Sequence, residues 1–122
     1  MKNGFLKVAV TTPDLRVADC EYNKNQMVEK VKKMAGEKVS LVCFPEFSLT
    51  GYTCGDLFLH DTLVEGAKDA LAAYCEETKS YEIVSVVGLP LDHNGKLYNV
   101  AAVIYGGKIL GFVPKSYLPN YS

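Results

Sequence analysis

Val39-Ser40-Leu41-Val42-Cys43-Phe44-Pro45-Glu46 is an apolar run closed by a proline and a carboxylate, and its reading decides the fold. A run of this kind fits a parallel strand buried on both faces, since parallel sheets are covered by other layers. Upstream, Lys7 to Thr12 is a β-branched run stopped by Pro13. Between the two runs Met27, Val28, Val31, Met34 and Ala35 recur at helical spacing, with Asp19 or Asn23 available as N-cap and Gln26 three residues after Asn23. Gly36 is expected to end this helix, and Lys30, Lys32 and Lys33 lie near its negative end. The unit is β-α-β.

Downstream, Gly51 to Asp56 reads as a turn-rich loop, and Leu63, Val64, Ala67, Leu71, Tyr74 and Cys75 mark a second amphipathic helix with Asp61 as its cap. A third strand follows at Ile83 to Leu89, and Pro90 and Asn94-Gly95 punctuate the next connection. Tyr98 to Tyr105 and Lys108 to Val113 are two strands joined by Gly106-Gly107, a pair suited to the positive φ of a primed hairpin turn. No phosphate-binding glycine motif surrounds that pair. Val100 to Ile104 is apolar on both faces, so both sides need a cover. Helices on one face and a second sheet on the other would supply it, but two helices and about five strands cannot build both layers. The expectation is one partial α/β domain over residues 1–122, with a polar loop after Val113.

Composition narrows the function classes. Apolar residues make up 48% of the 122 and charged residues 22%, a balance that excludes disorder as the main state. Thirteen Lys and Arg against fourteen Asp and Glu leave a net charge of −1, which gives no long-range attraction to nucleic acid. Phe5 to Thr12 is interrupted by Lys7 and is too short for a membrane span or a signal-peptide core, so a cytoplasmic location is expected. Cys20, Cys43, Cys54 and Cys75 lie 23, 11 and 21 positions apart with no CxxC, which provides no zinc or redox motif and fits reduced thiols.

Two charged residues stand where chemistry is built. Glu46 follows a buried strand directly, and the carboxyl ends of parallel strands are where open α/β sheets place their sites. Partial desolvation there would raise a carboxylate's proton affinity and suit it to general-base work. Lys115, after Pro114 and before Tyr117-Leu118-Pro119, could stabilise a developing oxyanion. Taken singly, each is more often a solvated surface charge. His60 and His93 sit beside turns, and no GxSxG or HExxH is present to recruit them.

The flanking sequence binds these residues into a pattern. Phe44-Pro45-Glu46-Phe47-Ser48-Leu49-Thr50-Gly51-Tyr52 resembles the segment around the catalytic glutamate of the nitrilase, or carbon-nitrogen hydrolase, superfamily. Gly111-Phe112-Val113-Pro114-Lys115 with Tyr117-Leu118-Pro119 resembles the segment of that superfamily's catalytic lysine. Gly51 to Phe58, Val87 to Leu91 and Gly95 to Asn99 look like the glutaminase half of glutamine-dependent NAD(+) synthetases.

The resemblance implies a nitrilase-like α-β-β-α sandwich, present here as about its N-terminal half. It implies a cysteine nucleophile served by Glu46 as base and Lys115 as oxyanion partner, with Tyr52 and Tyr121 lining the pocket for L-glutamine. Tyr packing at a domain surface is the alternative for those two rings. The nucleophile would lie on a later strand beyond residue 122. Cys54 falls at a position where the family motif carries a cysteine that is not the nucleophile. No metal site and no cofactor is expected in this segment; ATP and Mg would belong to a separate synthetase domain. The remaining partners implied are the rest of the polypeptide and a second copy in a homo-oligomer, since an apolar face on the last two strands would favour association, with no nucleic acid or membrane. Another amidase of the superfamily, acting on small linear amides or carbamoyl compounds, and a non-catalytic half-fold assembly module are the alternatives.

Overall fold

The computed structural model describes residues 6–51 and 61–118. Along the chain run β1 (Val8–Val10), α1 (Cys20–Gly36), β2 (Leu41–Cys43), α2 (Asp61–Thr78), β3 (Val84–His93), β4 (Lys96–Tyr105) and β5 (Lys108–Leu118). The strands form one sheet in the order β1-β2-β3-β4-β5, with β1, β2 and β3 parallel and β4 and β5 antiparallel to their neighbours. Two successive right-handed crossovers stepping in one direction leave both helices on the same face.

Helix α1 starts where Asp19 accepts the Tyr22 N–H at 3.0 Å. It ends at Gly36 as expected, but Gly36 is itself the last helical residue: Glu37 is the cap, and the left-handed residue is Lys38 at φ 64°. The apolar stripe of α1 includes two buried polar residues, Asn23 and Lys24, beside Cys20, Met27 and Val31. Lys24 Nζ meets Glu77 Oε2 of α2 at 2.6 Å, an ion pair that fixes one helix against the other.

On the helix-covered face Ser85, Val87 and Leu89 are buried together with their β4 partners Ile104, Ala102 and Val100. Tyr74 of α2 reaches this face, donating its hydroxyl to Ser85 Oγ at 2.7 Å and meeting Phe44 edge-on at 6.4 Å between centroids. Alternation along the strands puts the intervening residues on the opposite face. There Val8 and Val10 lie beside Leu41 and Cys43, followed by Val84 and Val86, Val103 and Ala101, and Val113. This second face is apolar across all five strands and open to solvent, with Val10 80% and Val113 50% exposed.

Two strands run further than the sequence indicates. β3 continues through Pro90 to His93, and Asn94 (φ 53°) and Gly95 (φ 76°) close a two-residue hairpin where a looped connection is expected. β2 pairs with β3 only as far as Val86, so no strand on that flank requires the N–H that Pro90 lacks. β5 continues past Val113 because Pro114 has a strand neighbour on only one side, β4.

Replacing Tyr74 by Phe should destabilise the fold by about 1–2 kcal/mol, because it leaves the buried Ser85 hydroxyl without its donor. Urea unfolding followed by circular dichroism measures this, and an unchanged midpoint would show that the hydroxyl pair adds nothing.

Candidate active site

The chain leaving β2 turns across the backbone of β3. Phe44 N–H bonds the Val86 carbonyl at 2.9 Å, and Leu49 N–H bonds the Gly88 carbonyl at 3.0 Å. Between them Ser48 Oγ accepts the Gly88 N–H at 3.0 Å and lies 3.4 Å from the Gly88 carbonyl. The turn closes on itself through Ser48 N–H to Pro45 O at 3.2 Å, with Phe47 at φ 53°. A Cβ on Gly88 would stand 2.5 Å from Phe47 N and 2.8 Å from Pro45 O, so the turn rests on bare backbone. Glu46 sits in this turn and is exposed. The desolvation expected at the strand end is not found at Glu46, because its turn lies on the face of the sheet that the helices leave uncovered.

A second loop braces the turn from behind. Asn23 Nδ2 donates to the carbonyls of Arg16 (2.7 Å) and Leu49 (3.1 Å), and its Oδ1 accepts the Arg16 N–H at 2.6 Å. Ala18 N–H bonds Thr50 O at 2.7 Å, and Gly51, at φ 75°, approaches Arg16 so closely that a Cβ would lie 2.7 Å from its carbonyl. Asn23 is therefore no N-cap but an interior helix residue tying residues 16–18 to residues 49–51. Its spacing among Cys20, Met27 and Val31 was a legible signal that it faces inward.

Lys115 reaches the same face from the other side of the sheet. Register runs from Gly88 to Ala101 to Val113, two inter-strand steps of about 4.8 Å each. Asn99 then pairs with Ser116 while Val100 pairs with Pro114, which leaves Lys115 as the extra residue of a β-bulge. In a bulge two residues oppose one, so Lys115 and Ser116 both face Asn99, whose β3 partner Pro90 shares the face of Gly88. Topology thus brings the Glu46 turn and exposed Lys115 to one face of one sheet. Tyr52 and Tyr121 lie outside the described residues, as do Cys54 and His60.

The three described cysteines are free thiols. Burial, with the Asp19 charge adding to it, pushes Cys20 up from 9.0 to about 11, and burial also raises Cys75. Neither is an activated thiolate. Cys43 is half-buried on the uncovered face. His93 is an exposed turn residue whose Nε2 lies 3.2 Å from Asn94 Nδ2. Among the described residues no cluster of three or more His, Cys, Asp or Glu could hold a metal ion, and no helix is long and apolar enough to cross a membrane.

A model of the carbon-nitrogen hydrolase family matches residues 7–121. The chain belongs to the carbon-nitrogen hydrolase family. Among curated members it is similar to the glutamine-dependent NAD(+) synthetase of Mycobacterium bovis, at 38% identity over 120 residues covering 98% of this chain and 18% of that protein. The corresponding synthetase of Aquifex aeolicus is 34% identical over 118 residues, covering 97% of this chain and 20% of that one. A crystal structure of a glutamine-dependent NAD(+) synthetase from Cytophaga hutchinsonii superposes with a TM-score of 0.84 at 27% identity, covering 94% of this chain and 20% of that chain. The NitN amidase from Neterenkonia sp. AN1 shares the fold at a TM-score of 0.74 and 17% identity, over 91% of this chain and 44% of that one. The chain therefore spans about a fifth of the length of the synthetases it resembles. Against the carbon-nitrogen hydrolase fold, the described sheet and its two helices are one α-β layer pair of the nitrilase-like sandwich, part of a larger domain.

Gly88→Ala should cost about 1–3 kcal/mol in urea unfolding, since its methyl must displace the Pro45–Phe47 backbone, whereas Gly111→Ala, with open space around it, should stay within about 0.5 kcal/mol of the parent. Equal effects would mean that the turn does not depend on close approach to Gly88. Cys20 gives a pH signature: the unfolded thiol ionises near 8.5 while the folded one holds its proton to about 11. Stability should therefore fall with rising pH across that window, and Cys20→Ala should flatten the fall, as read from urea midpoints at pH 8 and 10.5.

Proposed function

We propose that this chain is the N-terminal part of a glutamine-hydrolysing domain that supplies ammonia for amidation of deamido-NAD(+). The observation that carries the reading is the placement of Glu46 and Lys115 on one sheet face, in a chain 38% identical over 98% of its length to a glutamine-dependent NAD(+) synthetase. In this reading a cysteine thiol supplied by polypeptide beyond residue 122 attacks the side-chain amide carbon of L-glutamine. Glu46 takes the thiol proton and delivers it to the departing nitrogen, which leaves as ammonia. The negative oxygen of the tetrahedral intermediate lies against the ammonium of Lys115, which stabilises charge that exists only on the reaction path. Water then cleaves the thioester, with Glu46 taking its proton and returning it to the departing cysteine sulfur, and glutamate is released.

Tyr52 and Tyr121 are proposed as walls of the glutamine pocket, one end of each ring apolar and the other able to hydrogen-bond. The uncovered apolar face supports the view that a second layer of the same domain packs there, which would also exclude water from Glu46 and Lys115. ATP and Mg would act only in a separate synthetase domain that uses the ammonia. A cytoplasmic location and a homo-oligomer complete the proposal.

The test compares glutamate release by the 122-residue chain with release by the polypeptide extended through the nucleophilic cysteine and the synthetase domain. The short chain should release none. In the extended protein Glu46→Gln and Lys115→Met should each lower kcat by about 10²–10⁴-fold. Release by the short chain would overturn the missing-nucleophile reading, and preference of the extended protein for a small linear amide would replace glutamine as the substrate.

A further inference from the structure

Among the described residues four other than glycine hold a left-handed backbone: Ala18 (φ 61°), Lys38 (φ 64°), Phe47 (φ 53°) and Asn94 (φ 53°). Lys38 follows a helix and Asn94 closes a hairpin, where this conformation is ordinary. Ala18 and Phe47 lie instead in the two loops that meet behind Glu46. An aromatic residue in this region is strained, and such strain persists only where the surroundings hold it in place. One chain of hydrogen bonds joins the two: Thr50 donates its N–H to the Phe47 carbonyl at 3.1 Å and accepts the Ala18 N–H at 2.7 Å. Asn23 spans the same junction with a side chain wholly out of solvent, and its carboxamide serves only the backbone of the two loops, Arg16 on one and Leu49 on the other. Both amide hydrogens and the oxygen are engaged, so neither an apolar residue of this size nor an aspartate can replace it. The Leu49 N–H is held from the opposite side by the Gly88 carbonyl. Leu49 is thus clamped between α1 and β3, shortly after Glu46 in the chain.

We propose that Asn23 is a positioning residue for Glu46: by tying Arg16 to Leu49 it keeps the left-handed Phe47 turn seated on Gly88, and so fixes where the carboxylate stands. Its functional weight rests on the base role proposed for Glu46, but the clamp itself does not. A base displaced by about 1 Å can lose about 10²-fold in rate while substrate binding is spared, so Asn23 acts on kcat rather than on KM.

The experiment pairs two measurements. Amide hydrogen exchange on the 122-residue chain reads the clamp: Asn23→Ala should speed exchange at Ala18 and Leu49 about tenfold or more relative to the β3–β4 ladder. Glutamine hydrolysis by the polypeptide extended through the nucleophilic cysteine and the synthetase domain reads the positioning. There Asn23→Ala should lower kcat about 10–100-fold with KM within about threefold, while Ile104→Val, a core change under the helices, leaves kcat unchanged. Adding Ala18→Gly should restore part of both losses, because glycine relieves the strain at φ 61° and the exposed Ala18 gives up no packing. A carboxamide needed only to fill space predicts no such rescue. If Asn23→Ala does not fold, Asn23→Asp replaces it, keeping the volume and the acceptor for the Arg16 N–H while withdrawing both donors. If neither folds, the parent decides: one clamp opens as a unit and protects the Ala18 and Leu49 amides equally, and unequal protection overturns the proposal. Unchanged exchange, loss without rescue, or unchanged kcat beside an inactive Glu46→Gln also overturns it and leaves the base role of Glu46 intact. An active Glu46→Gln removes that base role, and the function of Asn23 with it.

Discussion

The backbone of Gly88 is the surface on which the site is assembled. A turn can cross a strand at this distance only where no Cβ intervenes, and the Ser48 hydroxyl then satisfies the Gly88 N–H that β2, already ended, no longer reaches. Everything that places Glu46 depends on this seat. The brace from Asn23 and Ala18 holds the C-terminal half of the turn, and the helix that supplies Asn23 is itself anchored to α2 by the Lys24–Glu77 ion pair. Helix packing on one face thus reaches a carboxylate on the other face through a single loop.

The two faces of the sheet divide the labour. The helix side is closed, with Tyr74, Met27, Leu89 and Ile104 fully buried, and it supplies the stability of the layer. The opposite side keeps Val8, Val10 and Val113 in water, an arrangement that costs stability unless something covers it. Both charged candidates belong to this open side. Their exposure in the layer alone accords with a site that is finished only when a further layer arrives.

Much of this was legible from residues, and the exceptions share a cause. Period and punctuation marked both helices, the β2 strand and the Gly106-Gly107 hairpin, because each is decided locally by side-chain pattern or by glycine at positive φ. The expected burial of β2 on both faces holds only for Val42, with Leu41 and Cys43 lying on the uncovered face. The passage of β3 through Pro90 was not legible, because it depends on where β2 stops, which is a fact about another segment. The exposure of Glu46 was missed for the same reason: burial at the end of β2 is set by which face the turn crosses, not by the run preceding it. Nor does Gly111-Phe112-Val113-Pro114-Lys115 disclose the bulge, since a register slip is a property of a pair of strands. Asn23 and Lys24 were readable in principle, as polar residues at inward helical spacing, but a reading that counts only apolar residues passes over them.

The bulge at Lys115 also sets how this gene segment can vary in length. Removing one residue from the stretch between Gly111 and Ser116 would restore regular pairing with β4 there, while the register shift between Val103 and Ile104 would remain. Ser116, Tyr117 and Leu118 would keep their β4 partners Asn99, Tyr98 and Leu97, so the loss is confined to the extra residue beside Ser116. Shortening here therefore regularises the strand while removing the projection that sets Lys115 beside Ser116, so the length of this stretch is tied to the placement of one lysine more than to the pairing of the strand.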